Sequence, residues 1–120
     1  MIYIPHESDG HRDHKRTHEI IVESVRRAGD EAYQECAGKP WWVKTVLCYE
    51  VWTPLQKIQY VEDITKYIDQ KITALGKHTS QITLVPYDDA VKGLNRYRGG
   101  MTGKGTYCEC FGLLRTEKIF

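Results

Sequence analysis

The sequence predicts an α/β fold, and two observations support this class. Short apolar or β-branched runs alternate with stretches in which apolar residues recur every three or four positions, the spacings of strands and amphipathic helices. A cluster of histidines and aspartates lies directly between the first predicted strand and the first predicted helix. Ligands of open α/β sheets bind at the carboxyl ends of strands, so this cluster is the first candidate site.

The N-terminal elements frame the cluster. Residues 1–4 are a short strand candidate, interpreted as the end of an inner strand, and Pro5 limits its hydrogen-bond ladder. The next segment has apolar residues at i, i+4 and i+7, which predicts an amphipathic helix of roughly four turns. These residues are Ile21, Val25 and Ala28. Asp13 is the predicted N-cap, and Gly29 is predicted to end the helix in a left-handed conformation.

The remaining elements follow from the same two periodicities. A polar loop at 28–40, punctuated by Gly and Pro, precedes the strongest predicted strand at 43–52, whose apolar run is typical of a strand covered on both faces. The later elements are an extended piece at 60–64, a helix at about 66–77 capped by Asp63 or Thr65, a helix at 87–97, a flexible basic glycine-rich loop at 95–105 and a closing strand at 106–114. Together they predict a single domain covering residues 1–120.

Length, composition and charge exclude several classes of protein. A chain of 120 residues with 41% hydrophobic and 28% charged residues can bury one core. Its net charge of +1 gives no field that would favour nucleic acid or an anionic membrane. No apolar run approaches the roughly 18 residues of a membrane span, and no secretory signal pattern is present, so we expect a cytoplasmic protein.

The four cysteines are predicted to be reduced residues that pack in the core. They are Cys36, Cys48, Cys108 and Cys110. None forms a CxxC pair, and the last two would lie on one face of a strand, too close in sequence for an easy disulfide. A zinc site built from cysteines would need a second close pair.

The histidine cluster occupies residues 5–18 and allows three interpretations. Its members are His6, Asp9, His11, Asp13, His14 and His18. In the first, one of His11 and His14 is a metal ligand and the other serves in acid–base catalysis or binds an oxyanion, with Asp13 fixing an imidazole tautomer. In the second, His14 and His18 bind zinc from one helix face, as in HExxH helices, although the glutamate of that motif is absent. In the third, the histidines are solvated residues at a helix start, where the helix dipole opposes a protonated imidazole.

Six stretches of the chain resemble one known family in the same order. HRDH at 11–14 is similar to the His-Pro-Asp-His motif of the PIG-L/LmbE-like zinc-dependent N-deacetylases. The later stretches with a similar counterpart in that family are YEVWTP at 49–54, VEDIT at 61–65, ALGKHTSQ at 74–81 with Lys71 before it, RYRG at 96–99 and YCECF at 107–111. The resemblance spans essentially the whole chain.

The resemblance implies a Rossmann-like, three-layer α/β sheet with flanking helices, and hydrolysis of an N-acetylated amino-sugar conjugate. His14 matches the family's zinc ligand, His11 its oxyanion-stabilising or general-acid histidine, and Asp13 the aspartate that orients His11. Zinc would polarise the acetyl carbonyl and lower the pKa of its bound water. An imidazolium within reach would stabilise the tetrahedral oxyanion and could protonate the leaving amine.

The chain departs from the family in one respect. The family places a His-Pro-Asp-Asp motif after its first strand, which supplies two further zinc ligands and the base, and this sequence has no such motif. Catalytic zinc needs about three protein ligands, so the resemblance implies the C-terminal half of a deacetylase that is inactive on its own. A missing N-terminal segment or a second copy would complete the site. The alternative is a non-catalytic remnant or interaction module with the same fold.

Several polar residues outside HRDH have less specific interpretations. His6 and Asp9 are close enough in sequence to approach a metal held by the cluster. His78 is interpreted as a cation at a helix C-terminus, and the alternative is that it supports the ligands of the site from behind. Glu109 is either a site carboxylate or part of a structural salt bridge. Arg96 and Arg98, beside the predicted glycine-rich loop, are expected to be solvated, and the alternative is that they contact an anionic group of the substrate.

Overall fold

A computed structural model of the chain describes residues 1–115. Its elements are β1 (Ile2–Pro5), α1 (Arg12–Ala28), β2 (Val46–Tyr49), β3 (Tyr60–Asp63), α2 (Ile68–Leu75), α3 (Thr79–Ile82), α4 (Tyr87–Thr102) and β4 (Cys108–Arg115). The strands form one mixed sheet in the order β1-β2-β4-β3, which confirms the predicted α/β class. Within the described residues, no helix combines the length and the apolar character needed to cross a membrane.

The chain divides into two compact units. Among the described residues, the first contains Met1–Tyr60 and Phe111–Arg115, and the second contains Val61–Cys110. The whole histidine cluster at 5–18 lies in the first unit, whereas His78, Arg98 and Glu109 lie in the second. The assignment of residues 1–120 to a single domain stays a prediction.

The first unit is built on the pairing of β1, β2 and β4. Strand β1 pairs in parallel with β2, with Ile2 opposite Val46 and Pro5 opposite Tyr49. Strand β2 pairs antiparallel with β4, with an irregularity between Val46 and Leu47. The core against this sheet consists of Ile4, Val25, Val43, Val46 and Cys48. Burying each aliphatic side chain contributes roughly 1.5–3 kcal/mol, so this cluster holds α1 against the sheet.

Helix α1 begins inside the histidine cluster, as predicted, but its two ends differ from the prediction. His11 is the N-cap, and its Nδ1 accepts a hydrogen bond of 3.2 Å from the Asp13 N–H. The prediction of Asp13 as N-cap was wrong because the chain turns helical at Arg12, which places Asp13 in the first turn. Gly29 has φ −92°, so the predicted left-handed conformation was also wrong. A Cβ on Gly29 would lie 2.8 Å from the Trp42 ring, so glycine is needed here for space.

Strand β2 is much shorter than the predicted strand at 43–52. It ends at Tyr49 because the N–H groups of Trp52 and Thr53 bond to the Asp9 carboxylate, so they are not available for a strand ladder. The prediction of a strand at 1–4 is confirmed by β1. Across residues 1–115, β1 has one neighbour in the sheet, β2.

The prediction that Asp63 or Thr65 caps α2 was wrong. The helix begins at Ile68 with Tyr67 as its N-cap, and no side chain caps it. Asp63 instead accepts hydrogen bonds from the N–H and the hydroxyl of Thr65. These two residues therefore stabilise the turn that precedes the helix, as Asp and Thr side chains commonly do.

Helix α4 replaces the flexible loop predicted at 95–105. It continues to Thr102 and ends at Gly103, which has φ +66°. Gly99 lies within the helix, and a Cβ there would lie 2.3 Å from the carbonyl oxygen of Thr106. The loop prediction was wrong because Gly99 does not make the chain flexible. Its missing side chain lets α4 pack closely against the backbone at Gly105 and Thr106.

This packing role makes a stability prediction. Gly99→Ala should lower the free energy of unfolding by about 1–3 kcal/mol, because the added methyl overlaps backbone atoms. Gly100→Ala is the matched control, since nothing lies within 4 Å of a Cβ there. It should be neutral or stabilising by up to about 1 kcal/mol, the difference in helix propensity. Urea unfolding of both variants tests this, and equal destabilisation by the two substitutions would contradict it.

The cysteines of the described residues are all free thiols. Cys48, Cys108 and Cys110 are buried, which confirms their packing role, whereas Cys36 is exposed and the same prediction for it was wrong. Burial raises the pKa of the Cys48 thiol to about 11, and the charge of Glu7 adds to the shift. The Cys48 thiol is therefore neutral at neutral pH.

Candidate functional site

The candidate site lies between β1 and α1, and Asp9 is at its centre. Its side chain is fully buried. Oδ1 accepts hydrogen bonds of 2.9 Å from the His11 N–H and from Nδ1 of His14. Oδ2 accepts hydrogen bonds from the N–H groups of Trp52, at 2.9 Å, and Thr53, at 3.2 Å. One carboxylate therefore fixes the start of α1, an imidazole ring and the segment that follows β2.

The carboxylate of Asp9 is ionised at neutral pH. Burial alone would raise the pKa of this carboxyl. The hydrogen bonds from His11, His14, Thr53 and Trp52 outweigh burial and lower the pKa to about 2, because each donor stabilises the charged form. The site thus contains a permanent negative charge behind the His14 ring.

His14 has the geometry of a metal-binding histidine. Its Nδ1 donates to Asp9, so the lone pair of Nε2 is left for another partner. The side chain is 25% exposed, which gives Nε2 access to solvent or a ligand. Histidines that bind metals almost always donate their second ring nitrogen to a carboxylate, a carbonyl or water. The Asp9–His14 pair therefore matches one ligand position of a metal site.

His11 lies next to His14, as the sequence predicts for two histidines of one site. Their ring centroids are 4.7 Å apart. Because Nδ1 of His11 accepts the Asp13 N–H, the neutral ring carries its proton on Nε2 and can donate a hydrogen bond from it. Asp13 contacts His11 through its backbone, and its side chain is exposed. A role for the Asp13 carboxylate in orienting His11 stays a prediction.

The other two histidines of the cluster are buried and bonded to backbone carbonyls. His6 donates from Nε2 to the Thr53 carbonyl at 2.6 Å, and this nitrogen lies 3.8 Å from Oδ2 of Asp9. His18 donates from Nδ1 to the Pro5 carbonyl at 2.8 Å. Both line a cavity of about 550 Å³ that is also bordered by Cys48. His18 thus connects α1 to β1 through a structural hydrogen bond. The interpretation of His14 and His18 as a pair of zinc ligands did not predict this contact.

The donor set of the described chain fits zinc only in part. His14 fits one ligand position, but no three His, Cys, Asp or Glu side chains among residues 1–115 are grouped so that they could hold a metal. Both oxygens of Asp9 accept hydrogen bonds from the protein. Asp9 therefore supports the His14 ring and does not itself fit a ligand position. A catalytic zinc with about three protein ligands therefore needs donors beyond these residues.

Residues of the second unit that the sequence singled out make structural contacts. Glu109 pairs with the Lys71 ammonium, which also donates to Oδ1 of Asn95 at 2.9 Å. These contacts favour the salt-bridge interpretation of Glu109. Arg98 is 7% exposed, so the prediction that it is solvated was wrong. It lies in α4, whose close packing the sequence did not indicate.

The chain matches no family model and no curated protein, but its fold is similar to solved structures. TT1542, a conserved protein from Thermus thermophilus, has a TM-score of 0.85 and 26% identity over 99% of this chain and 53% of its own. GalB, the 4-carboxy-2-hydroxymuconate hydratase from Pseudomonas putida KT2440, has a TM-score of 0.72 and 19% identity over 98% of this chain and 53% of its own. The chain therefore shares an α/β fold with these proteins and spans about half of their length.

Proposed function

We propose that the chain is the C-terminal half of a PIG-L/LmbE-like zinc-dependent N-deacetylase and supplies part of its active site. The observation that carries the proposal is the hydrogen bond between His14 and the buried, ionised Asp9. His14 belongs to the HRDH motif that resembles that of the family. The coverage of about half of the TT1542 and GalB chains supports a site completed by a further segment.

The residues of this chain have distinct roles in the proposed reaction. Asp9 holds the His14 ring so that Nε2 is available as a metal ligand. A zinc ion, when bound, supplies a Lewis acid for the acetyl carbonyl and a water of lowered pKa. His11 would donate a hydrogen bond from its Nε2–H to the developing oxyanion. To protonate the leaving amine it would act as an imidazolium, which gives up its Nε2 proton and returns to a neutral imidazole.

The test uses an extended protein, defined here as the product of a reading frame extended upstream of Met1. We expect the extension to encode a His-Pro-Asp-Asp motif, and the extended protein to bind zinc stoichiometrically and release acetate from N-acetylglucosamine conjugates. The 120-residue chain alone should bind zinc only weakly. Lack of that motif upstream, or zinc binding without acetate release, would contradict the proposal and favour the non-catalytic module.

A substitution of His11 separates its chemistry from its role as a helix cap. His11→Asn keeps a side-chain acceptor for the Asp13 N–H, whereas His11→Ala removes it, and both remove the proton donor. In the extended protein, both should lower kcat for acetate release by about 10²–10⁴-fold. Only His11→Ala should also lower the free energy of unfolding, by about 1 kcal/mol. Wild-type kcat in His11→Asn would rule out the acid role.

A further inference from the structure

Trp52 is a large aromatic side chain exposed next to the two site histidines. Its side chain is 52% exposed. The centroid of its ring lies 6.1 Å from that of His11, with an angle of 21° between the rings. The rings of His11 and His14 are themselves adjacent. An apolar surface thus lies at the edge of the site where the proposed chemistry would occur.

The backbone that carries Trp52 is held firmly. Its N–H donates to the buried Asp9 carboxylate, and so does the N–H of Thr53. The Thr53 hydroxyl accepts a hydrogen bond of 2.8 Å from the Gly10 N–H. These bonds connect two segments that are more than 40 residues apart in the sequence. The indole is therefore attached to the same support that positions His14.

Trp52 is exposed beside the histidines of the site, whereas the other two tryptophans have different neighbours. Trp42 packs its ring against Gly29 and lies under the Arg115 guanidinium, at 4.1 Å from the ring centroid. Trp41 is exposed beside the end of α1. An exposed aromatic ring next to groups that can bind and protonate a substrate is typical of a ligand site, in which aromatic surface and a few polar groups converge.

We infer that Trp52 is a specificity-determining residue whose indole face stacks on the ring of the substrate while the acetamide lies at His11 and His14. This inference rests on the proposed function. A pyranose has an apolar face of C–H groups and a rim of hydroxyls, which suits an indole flanked by hydrogen-bonding imidazoles. An aromatic acetamide would share the stacking chemistry but lacks the hydroxyl rim, so the experiment compares the two.

The experiment observes the indole N–H signals of Trp41, Trp42 and Trp52 in NMR spectra of the extended protein. Methyl N-acetylglucosaminide is titrated in, and acetanilide is the aromatic comparison. We expect the sugar to shift the Trp52 signal, identified by its loss in Trp52→Phe, and to leave that of Trp41 in place. Trp52→Ala should weaken sugar binding roughly three- to tenfold, which corresponds to typical stacking energies. Trp52→Phe should weaken it less, and Trp41→Ala, the matched control, should leave it unchanged.

The outcomes separate this inference from the proposed function because acetate release is measured in the same samples. No sugar binding, an unmoved Trp52 signal, unchanged affinity in Trp52→Ala, or tighter binding of acetanilide than of the sugar would each overturn the inference. Acetate release without involvement of Trp52 would leave the proposed function intact. Sugar stacking on Trp52 without acetate release would overturn the proposed function alone. Unchanged Trp41 and Trp42 signals in Trp52→Ala confirm that this variant is folded.

Discussion

Asp9→Ala is expected to lower the free energy of unfolding by about 3–5 kcal/mol, because four hydrogen-bond donors lose the carboxylate that accepts from them. The substitution leaves the N–H groups of His11, Trp52 and Thr53 and the His14 ring without their acceptor. Each unsatisfied buried donor costs about 1–3 kcal/mol, reduced where water can enter. Urea unfolding of the 120-residue chain and its variant measures the difference.

Asp69→Ala is the matched control for this prediction. Asp69 is also an aspartate near a helix start, but its side chain is 94% exposed. Its removal should cost less than about 1 kcal/mol, the value of an exposed charge near a helix terminus. Similar destabilisation by the two substitutions would show that Asp9 does not hold the site together.

The contribution of Asp9 should also depend on pH in a defined direction. Its pKa is about 2 in the folded protein against an ordinary value of 3.8, so the folded state favours the ionised form. The shift corresponds to roughly 2–3 kcal/mol of stability. This part is fully present above the unfolded pKa near 3.8 and is lost as the pH falls through about 2. The difference in unfolding free energy between wild type and Asp9→Ala should therefore shrink as the pH falls below about 4.

The sequence predicts the elements around the site better than the residue at its centre. The period of α1 and the apolar run of β4 depend on local patterns, and both elements form where predicted. His11 and His14 are brought together because they lie three apart at one helix start. Asp9 has a local signal only in its spacing to His11, whose N–H it accepts as in an Asx turn. Its bonds to Trp52 and Thr53 are long-range, and no local pattern predicts them.

The same argument explains the two largest errors in the secondary structure. Residues 50–53 have strand-like composition, but the Asp9 carboxylate uses the N–H groups that a strand would need. Residues 95–102 have loop-like glycine content, but Gly99 is small because a carbonyl lies against it. In both places a tertiary contact overrides the local preference, as it commonly does for weak propensities.

His14→Ala should abolish zinc-dependent acetate release by the extended protein and weaken zinc binding by more than about a hundredfold. The estimate follows because loss of a carboxylate behind a metal-bound histidine alone costs about 10–100-fold, and loss of the ligand itself should cost more. Isothermal titration with zinc, together with the acetate assay, measures both effects. The expected order of zinc affinity is His78→Ala equal to wild type, then Asp9→Asn, then His14→Ala.

His78→Ala is the matched control because His78 is an exposed histidine of the second unit whose side chain makes no cap hydrogen bond. A separate measurement excludes misfolding as the cause of lost binding. In the 120-residue chain, His14→Ala removes one of four donors to Asp9, so it should lower the unfolding free energy by only about 1 kcal/mol. Zinc affinity that survives in His14→Ala, or that falls equally in His78→Ala, would remove His14 from the metal site. The hydrogen bond between the buried Asp9 carboxylate and His14 would then have no explanation in metal binding.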